Sequence, residues 1–345
     1  MIFVNHQNAK LGSVVPVLKL QPEPVFIVGM NGSGTSMLAE SLGRHPLLYA
    51  TPRETKVIPH LVGRLDNFGD LRQDERFLQL WIEVQRVPVF RIMNGGVAPS
   101  IPANWNLFPR DLAAVLDALF RSLAAREGKV RWGEKTPQHV QHLQMLHELF
   151  PRARFVHIIR DGRDCAASFH RRWGRTPERT IYRWRRVVRE GRRQGSTIPN
   201  LYFEVRYEDL TQDPERWMRE ICSFLHLPFD PKVLGSRRPQ SETPGGEGRI
   251  SPNSGRWKQH FSSSQVARLE QISGAFLADL GYEVLNPSGA RDPSALVSRY
   301  WHARDNIRET SATVRKRLTG KTGKSWSMIW QSIVVSIKQS RTNRY

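Results

Sequence analysis

Residues 24–43 read Pro-Val-Phe-Ile-Val-Gly-Met-Asn-Gly-Ser-Gly-Thr-Ser-Met-Leu-Ala-Glu-Ser-Leu-Gly, an apolar run that passes through three glycines into a helix-compatible pattern. Val25 to Val28 have the length and β-branching of a buried strand. Thr35 to Leu42 read as a helix closed by Gly43. A tight loop between such elements aims backbone N–H groups and a helix N-terminus at one point, a natural seat for phosphate or sulfate. The ATP-binding form of the loop is G-x-x-x-x-G-K-[ST]. Gly29 and Gly34 keep that spacing, but Thr35 stands in the lysine position, followed by Ser36. The loop is therefore expected to hold an anion without the ammonium that reaches the β- and γ-phosphates, which makes ATP a poor fit. A bare tight turn explains the glycines less well than this strand-to-helix context does.

At 345 residues, with 39% hydrophobic and 9% aromatic content, the chain has material for one large α/β domain with insertions, or for two small ones. Global disorder is excluded by the same numbers. The net charge of +20 and pI of about 10.7 favour acidic ligands or polyanionic surfaces. Cys165 and Cys222 form neither a C-x-x-C nor a Cys/His metal spacing, so a disulfide framework and a metal site are not expected. The first 20 residues lack a signal-peptide pattern, and no run reaches the ~18 apolar residues of a spanning helix. A cytoplasmic protein is expected.

The organisation reads as an N-terminal arm (1–23), an α/β body (24–285) with a helix-leaning insert at 64–127, and a basic tail (286–345). Trp81, Phe90 and Trp105 of the insert are assigned to core packing. Arg131-Trp132-Gly133-Glu134-Lys135-Thr136-Pro137 precedes a stretch expected to be helical up to Phe150, with Pro137 at its first turn. Arg154 to Ile159 reads as a second buried strand running into Arg160-Asp161-Gly162-Arg163-Asp164 and a helix that contains Ser168. Leu201 to Tyr207 is a third strand, closed by Glu208-Asp209. Strands alternating with helices predict a parallel sheet flanked by helices, with ligands outside the carboxyl ends of its strands. Twelve arginines between Arg160 and Arg193 face four acids, and Trp184, Val187 and Val188 give that helix an apolar stripe. Helices are expected near 214–226 and 262–280, with Gly235–Gly255 between them as a lid-length loop. In the tail, Trp326, Ile329, Trp330, Ile333, Val334 and Ile337 trace one face of an amphipathic helix within 321–341. That face either docks on the protein's own core or lies on an anionic membrane.

Three separated pieces, namely the glycine loop without its lysine, the strand ending in Arg-Asp-Gly-Arg-Asp with a serine eight residues past Arg160, and Gly255-Arg256-Trp257-Lys258, together resemble the PAPS-dependent sulfotransferases. The bacterial and tyrosylprotein-sulfotransferase-like branch is the nearest in flavour, over about residues 24–285. The resemblance implies a P-loop-type α/β fold with helical insertions and a basic helical tail outside it. It also implies 3′-phosphoadenosine-5′-phosphosulfate (PAPS) as sulfuryl donor, with no metal, and a hydroxyl-bearing acceptor that is a carbohydrate, lipid, peptide or small molecule. On this resemblance Gly29, Asn31, Gly32, Ser33, Gly34, Thr35 and Ser36 cradle the 5′-phosphosulfate. Arg160 and Ser168 hold the 3′-phosphate, Tyr207 lies near the nucleotide, and Arg256 and Lys258 close over it. Trp257 is left either stacking on adenine or buried. Glu54 matches the general base and Lys135 the lysine that neutralises the leaving phosphate, with His139 as runner-up base and His157 assigned to the core. Many relatives carry arginine where this chain has Gly32, so Lys56, Lys135 or backbone N–H groups are expected to compensate.

Two rival classes are set against this reading. A P-loop kinase needs the missing lysine and a magnesium carboxylate, for which Asp161 is the only imitation. A non-catalytic polyanion-binding protein on the same fold draws on the arginine run and the tail, although no motif for specific nucleic-acid recognition is present.

Overall fold

The computed structural model describes residues 23–236 and 248–318. Its contacts fall into two compact units, one holding the residues up to Asp161 together with Trp184–Gly255, the other Gly162–Arg183 and the residues from Arg256 on. The arm before residue 23 and the amphipathic 321–341 segment lie outside the described residues.

The first unit is built on a five-stranded parallel sheet: β1 (Val25–Gly29), β2 (Leu48–Ala50), β3 (Arg131–Lys135), β4 (Arg154–Ile159) and β5 (Tyr202–Arg206), ordered β2-β3-β1-β4-β5. All five residues of the central strand β1 are buried, as a parallel strand covered on both faces requires. Ile27 is level with Lys135 on β3 and with Val156 on β4, while Gly29 is level with Ile158. That register brings the carboxyl ends of β1, β3, β4 and β5 to one end of the sheet, each carrying a residue singled out from the sequence. On one face Val25, Ile27, Val156 and Ile158 pack with Leu38 and Leu42 of α1 (Thr35–Leu42). Elsewhere in the unit Phe26 stacks on Phe155 with centroids 5.5 Å apart, and Trp132 stacks on Phe120 at 4.4 Å. These rings bury the large areas that anchor such a sheet.

The insert forms as an interrupted helical region. After α2 (Ile58–Val62) come α3 (Asp74–Gln85), α4 (Pro88–Met93) and α5 (Leu112–Ala125), the last two separated by mostly irregular chain between Asn94 and Arg110. Asp111 caps α5 by accepting the Ala114 N–H at 2.7 Å. Trp81 and Phe90 are buried as expected, and Trp105 is half-buried beside Phe77 with the Arg110 guanidinium over its ring.

Three readings are corrected. Leu48–Ala50 and Arg131–Lys135 are strands, which their short or polar sequences concealed. Pro137–Phe150 is not one helix, because a 3₁₀ turn (Pro137–Gln141) ends where His142 leaves helical geometry and α6 (Leu143–Leu149) starts afresh. The lid-length segment carries a two-stranded ribbon, β6 (Gly235–Ser236) against β7 (Gly248–Arg249), and residues 237–247 are outside the described chain.

Helices α7 (Gly162–Trp173) and α8 (Pro177–Gly195) follow β4; α9 (Tyr207–Gln212) and α10 (Pro214–Phe224) follow β5. The stripe of α8 is buried through Trp184, Val187 and Val188. The second unit comprises α7, the first part of α8, α11 (Trp257–His260), α12 (Ser263–Asp279) and α13 (Ala295–Leu318). Ser262 and Gln265 form a capping box at the start of α12. Buried Asp305 of α13 accepts from the Thr176 N–H and hydroxyl and from Arg179. No helix among the described residues is long and apolar enough to cross a membrane.

Candidate active site

The turn from β1 into α1 is shaped by contacts that tolerate no side chain. A Cβ on Gly29 would sit 2.5 Å from the Ile158 carbonyl oxygen on the neighbouring strand. Gly34 has φ of +102° and lies directly on the Tyr207 ring, which a Cβ would meet at 2.6 Å. Gly34 is also the N-cap of α1, so no side chain caps that helix. The Ser33 N–H closes the turn onto the Met30 carbonyl at 3.0 Å. Asn31, Gly32 and Ser36 stay partly exposed, whereas Ser33 and Thr35 are buried. An uncapped helix start behind a glycine loop is suited to a phosphate or sulfate oxygen.

Arg160 sits at the end of β4, and its main-chain carbonyl is fixed by the Trp184 indole N–H at 3.0 Å. Its guanidinium lies 4.4 Å from the centroid of the Tyr207 ring, and it donates to the Gly32 carbonyl at 3.2 Å and to the Asn253 carbonyl. Tyr207, 4% exposed, thus supports both the loop and the arginine from beneath. The arginine that many relatives place at the Gly32 position is absent, but a guanidinium nevertheless reaches that residue from β4.

Across β1, the segment after β2 carries Glu54. Its carboxylate lies 3.7 Å from the Lys135 Nζ at the end of β3 and 3.0 Å from the Lys56 Nζ. Lys135 is 6% exposed at its side chain and Glu54 24%, so an acceptor can reach the carboxylate while the lysine stays sheltered. Lys56 adopts φ of +55°, an uncommon backbone state for a residue with a side chain. An accessible carboxylate beside two ammonium groups is placed to accept a proton from an incoming hydroxyl.

Glu134 was not singled out as a functional residue. It is fully buried, and its Oε1 accepts from the Thr55 N–H (3.2 Å), the Thr55 hydroxyl (2.8 Å) and the Thr136 hydroxyl (2.5 Å). Its Oε2 lies 2.9 Å from the His139 Nδ1. Burial pushes the carboxyl up, but the His139 imidazole and the Thr136 and Thr55 hydroxyls outweigh it and hold Glu134 below the ordinary carboxylate value. His139, only 1% exposed, lies against Glu134 inside the protein, whereas the Glu54 carboxylate is partly exposed. His157 is buried as expected, 2.5 Å from the Tyr202 hydroxyl.

Ser168, Arg256 and Lys258 belong to the second unit. Ser168 is buried on α7, and Arg256 and Lys258 are exposed around α11. That short helix is tied down by Asp164, which accepts the Trp257 N–H at 3.0 Å, and by Arg163, whose guanidinium lies 4.0 Å from the Trp257 ring centroid. Arg163 is itself paired with buried Glu270 at 2.7 Å. One face of Trp257 is therefore already stacked, and Arg163 and Asp164 have organising roles that their surface-like sequence did not signal.

Comparison with known proteins matches the description "Sulfotransferase family" over residues 24–231, more than half of the chain, and "Sulfotransferase domain" over residues 182–281. The chain belongs to the sulfotransferase family. It is 26% identical to protein-tyrosine sulfotransferase 1 of Danio rerio over 222 residues, covering 61% of this chain and 55% of that protein. The protein-tyrosine sulfotransferase of Drosophila melanogaster is likewise 26% identical over 226 residues, covering 61% and 39%. The chain thus spans about half or less of the length of these curated relatives. Among solved structures, the sulfotransferase domain from the curacin biosynthetic pathway superposes with a TM-score of 0.50 at 18% identity, covering 76% of this chain and 99% of that one. This likeness supports the sulfotransferase fold, with its parallel sheet flanked by helices.

Proposed function

We propose that this sulfotransferase moves a sulfuryl group from PAPS to an acceptor hydroxyl, yielding a sulfate ester and 3′,5′-bisphosphoadenosine. The observation that carries the reading is the pairing of Glu54 with Lys135 at the same end of the sheet as a glycine loop that lacks the ATP lysine. PAPS supplies an activated sulfur whose bond to the bridging phosphate oxygen breaks as the acceptor oxygen bonds to sulfur. Glu54 takes the acceptor proton, and Lys135 offsets charge on the departing phosphate oxygen. The glycine loop and the start of α1 hold the phosphosulfate through backbone N–H groups. Arg160 grips the 3′-phosphate, and Ser168, Arg256 and Lys258 are further candidates for nucleotide contact. A tyrosyl hydroxyl is the first acceptor to try, since the curated relatives are named for it.

The test is calorimetric titration with 3′,5′-bisphosphoadenosine, with ATP and magnesium as the comparison. Micromolar binding of the bisphosphate, weakened at least tenfold in Arg160→Ala, is the expected result. Binding of ATP–magnesium in its place would turn the reading toward a kinase. Binding of neither would favour a polyanion-binding protein.

A further inference from the structure

The loop that carries Glu54 has no strand partner of its own. Beyond β2 and β3, backbone pairing gives way to side chains: the Lys135 N–H goes to the Thr51 hydroxyl at 3.0 Å and the Lys56 N–H to the Thr136 hydroxyl at 3.2 Å. The Thr55 N–H and hydroxyl both go to Glu134 Oε1, which also receives the Thr136 hydroxyl proton. Two residues of the loop, immediately after the base, are thereby clipped to the two residues that flank Lys135. One buried carboxylate oxygen is the common acceptor, and His139 stands against the other. A buried charge without partners is costly, so this carboxylate holds its donors firmly. The left-handed backbone of Lys56 lies within the clip, where such a conformation needs surrounding structure to maintain it.

We propose that Glu134 is a positioning residue that, through Thr55 and Thr136, fixes the base-bearing loop against β3 and so sets the separation of Glu54 from Lys135. The clip itself stands on geometry alone; its consequence for turnover rests on Glu54 being the base. Glu134 touches no substrate in this scheme, and its effect passes through Glu54. Glutamine at the same position keeps an acceptor oxygen for Thr55 and Thr136 and turns its NH₂ toward His139.

Amide hydrogen exchange at Thr55 and Lys56 tests the clip without any substrate. In Glu134→Ala both amides are expected to lose at least tenfold in protection. In Thr136→Val the loss is expected mainly at Lys56, whose acceptor is removed, and in Glu134→Gln protection largely returns. Unchanged exchange at both amides in a folded Glu134→Ala protein would overturn the proposal. Sulfuryl transfer from PAPS to a tyrosyl peptide adds the kinetic arm. Glu134→Ala is expected to lower kcat at least tenfold in the wild-type background and by less than twofold on top of Glu54→Gln, with bisphosphate affinity held within twofold. Equal losses in both backgrounds would reveal a merely structural role and overturn positioning through Glu54. Absence of transfer by the wild-type protein would count against a tyrosyl acceptor, while the exchange data would still decide the clip.

Discussion

On the β4 side of β1 the anion loop is shaped by close packing, whereas on the β3 side the base-bearing loop is held by hydrogen bonds to a buried carboxylate. Gly29 and Gly34 are pressed against Ile158 and Tyr207, so that flank fails when atoms are added. Thr55, Lys56 and Thr136 hang on Glu134, directly or through one hydroxyl, so the other flank fails when an acceptor is removed. Packing gives the loop one rigid shape in which to seat an anion. On the proposed mechanism the hydrogen-bonded clip sets the position of a carboxylate that takes up the acceptor proton. The two flanks are therefore expected to separate kinetically, with binding on one side and turnover on the other.

The sharpest way to break this comparison is at the base. Glu54→Gln keeps the size of the side chain and removes the proton acceptor, so turnover is expected to fall by ~10²–10⁴-fold, the usual contribution of general base catalysis. Bisphosphate affinity measured by calorimetry is expected to stay within about threefold, because Glu54 lies on the flank opposite the loop. Retention of full turnover would remove Glu54 from the mechanism even with the fold unchanged.

A smaller effect is expected on the packed flank. Gly34→Ala must accommodate φ of +102° and a Cβ 2.6 Å from the Tyr207 ring. Backbone strain of this kind costs ~1–3 kcal/mol, which corresponds to a loss in nucleotide affinity of about 5- to 150-fold where binding must overcome it. Tyr207 lies beneath Arg160, so its displacement disturbs the guanidinium as well. If affinity fell while kcat at saturating PAPS held, the loop would be a binding element alone. If kcat fell equally, the division between flanks would not hold.

The two flanks also differ in how far they can be read from sequence. The loop was legible because its logic is local: β-branched residues make the strand, glycines make the turn, and the helix ends at Gly43. Arg160 and Tyr207 were legible as residues just beyond strands. β3 was not read as a strand, because Arg-Trp-Gly-Glu-Lys lacks the apolar run of a buried parallel strand. Its polar side chains are buried only because partners from sequence-distant segments meet them, as Thr55 meets Glu134. Likewise the helix expected from Pro137 fails at His142, after His139 has turned inward to Glu134. Nothing in the spacing of Arg163 and Asp164 announced that both would hold Trp257. Tertiary partners, which a linear pattern does not carry, account for each of these differences.

Acid sensitivity gives the finest test, because a buried group on each flank, His157 and Glu134, has its own window. Burial, aided by the Arg192 charge, depresses the His157 imidazole on β4 to about 3. The folded protein then keeps His157 neutral while the unfolded chain gains a proton below about 6.5, so stability is lost as pH falls from 6.5 toward 3. Glu134 on β3 is held below its ordinary value of 4.5, so its contribution is complete above 4.5 and is lost as pH drops through the folded value. The slope from one such group is at most about 1.4 kcal/mol per pH unit. Unfolding measured between pH 7 and 3 is therefore expected to flatten in His157→Gln already between 6.5 and 4.5, and in Glu134→Gln only below 4.5. Coincident windows would mean that one of the two groups does not titrate as its surroundings imply. Separate windows would show that His157 and Glu134 each contribute to stability through its own protonation.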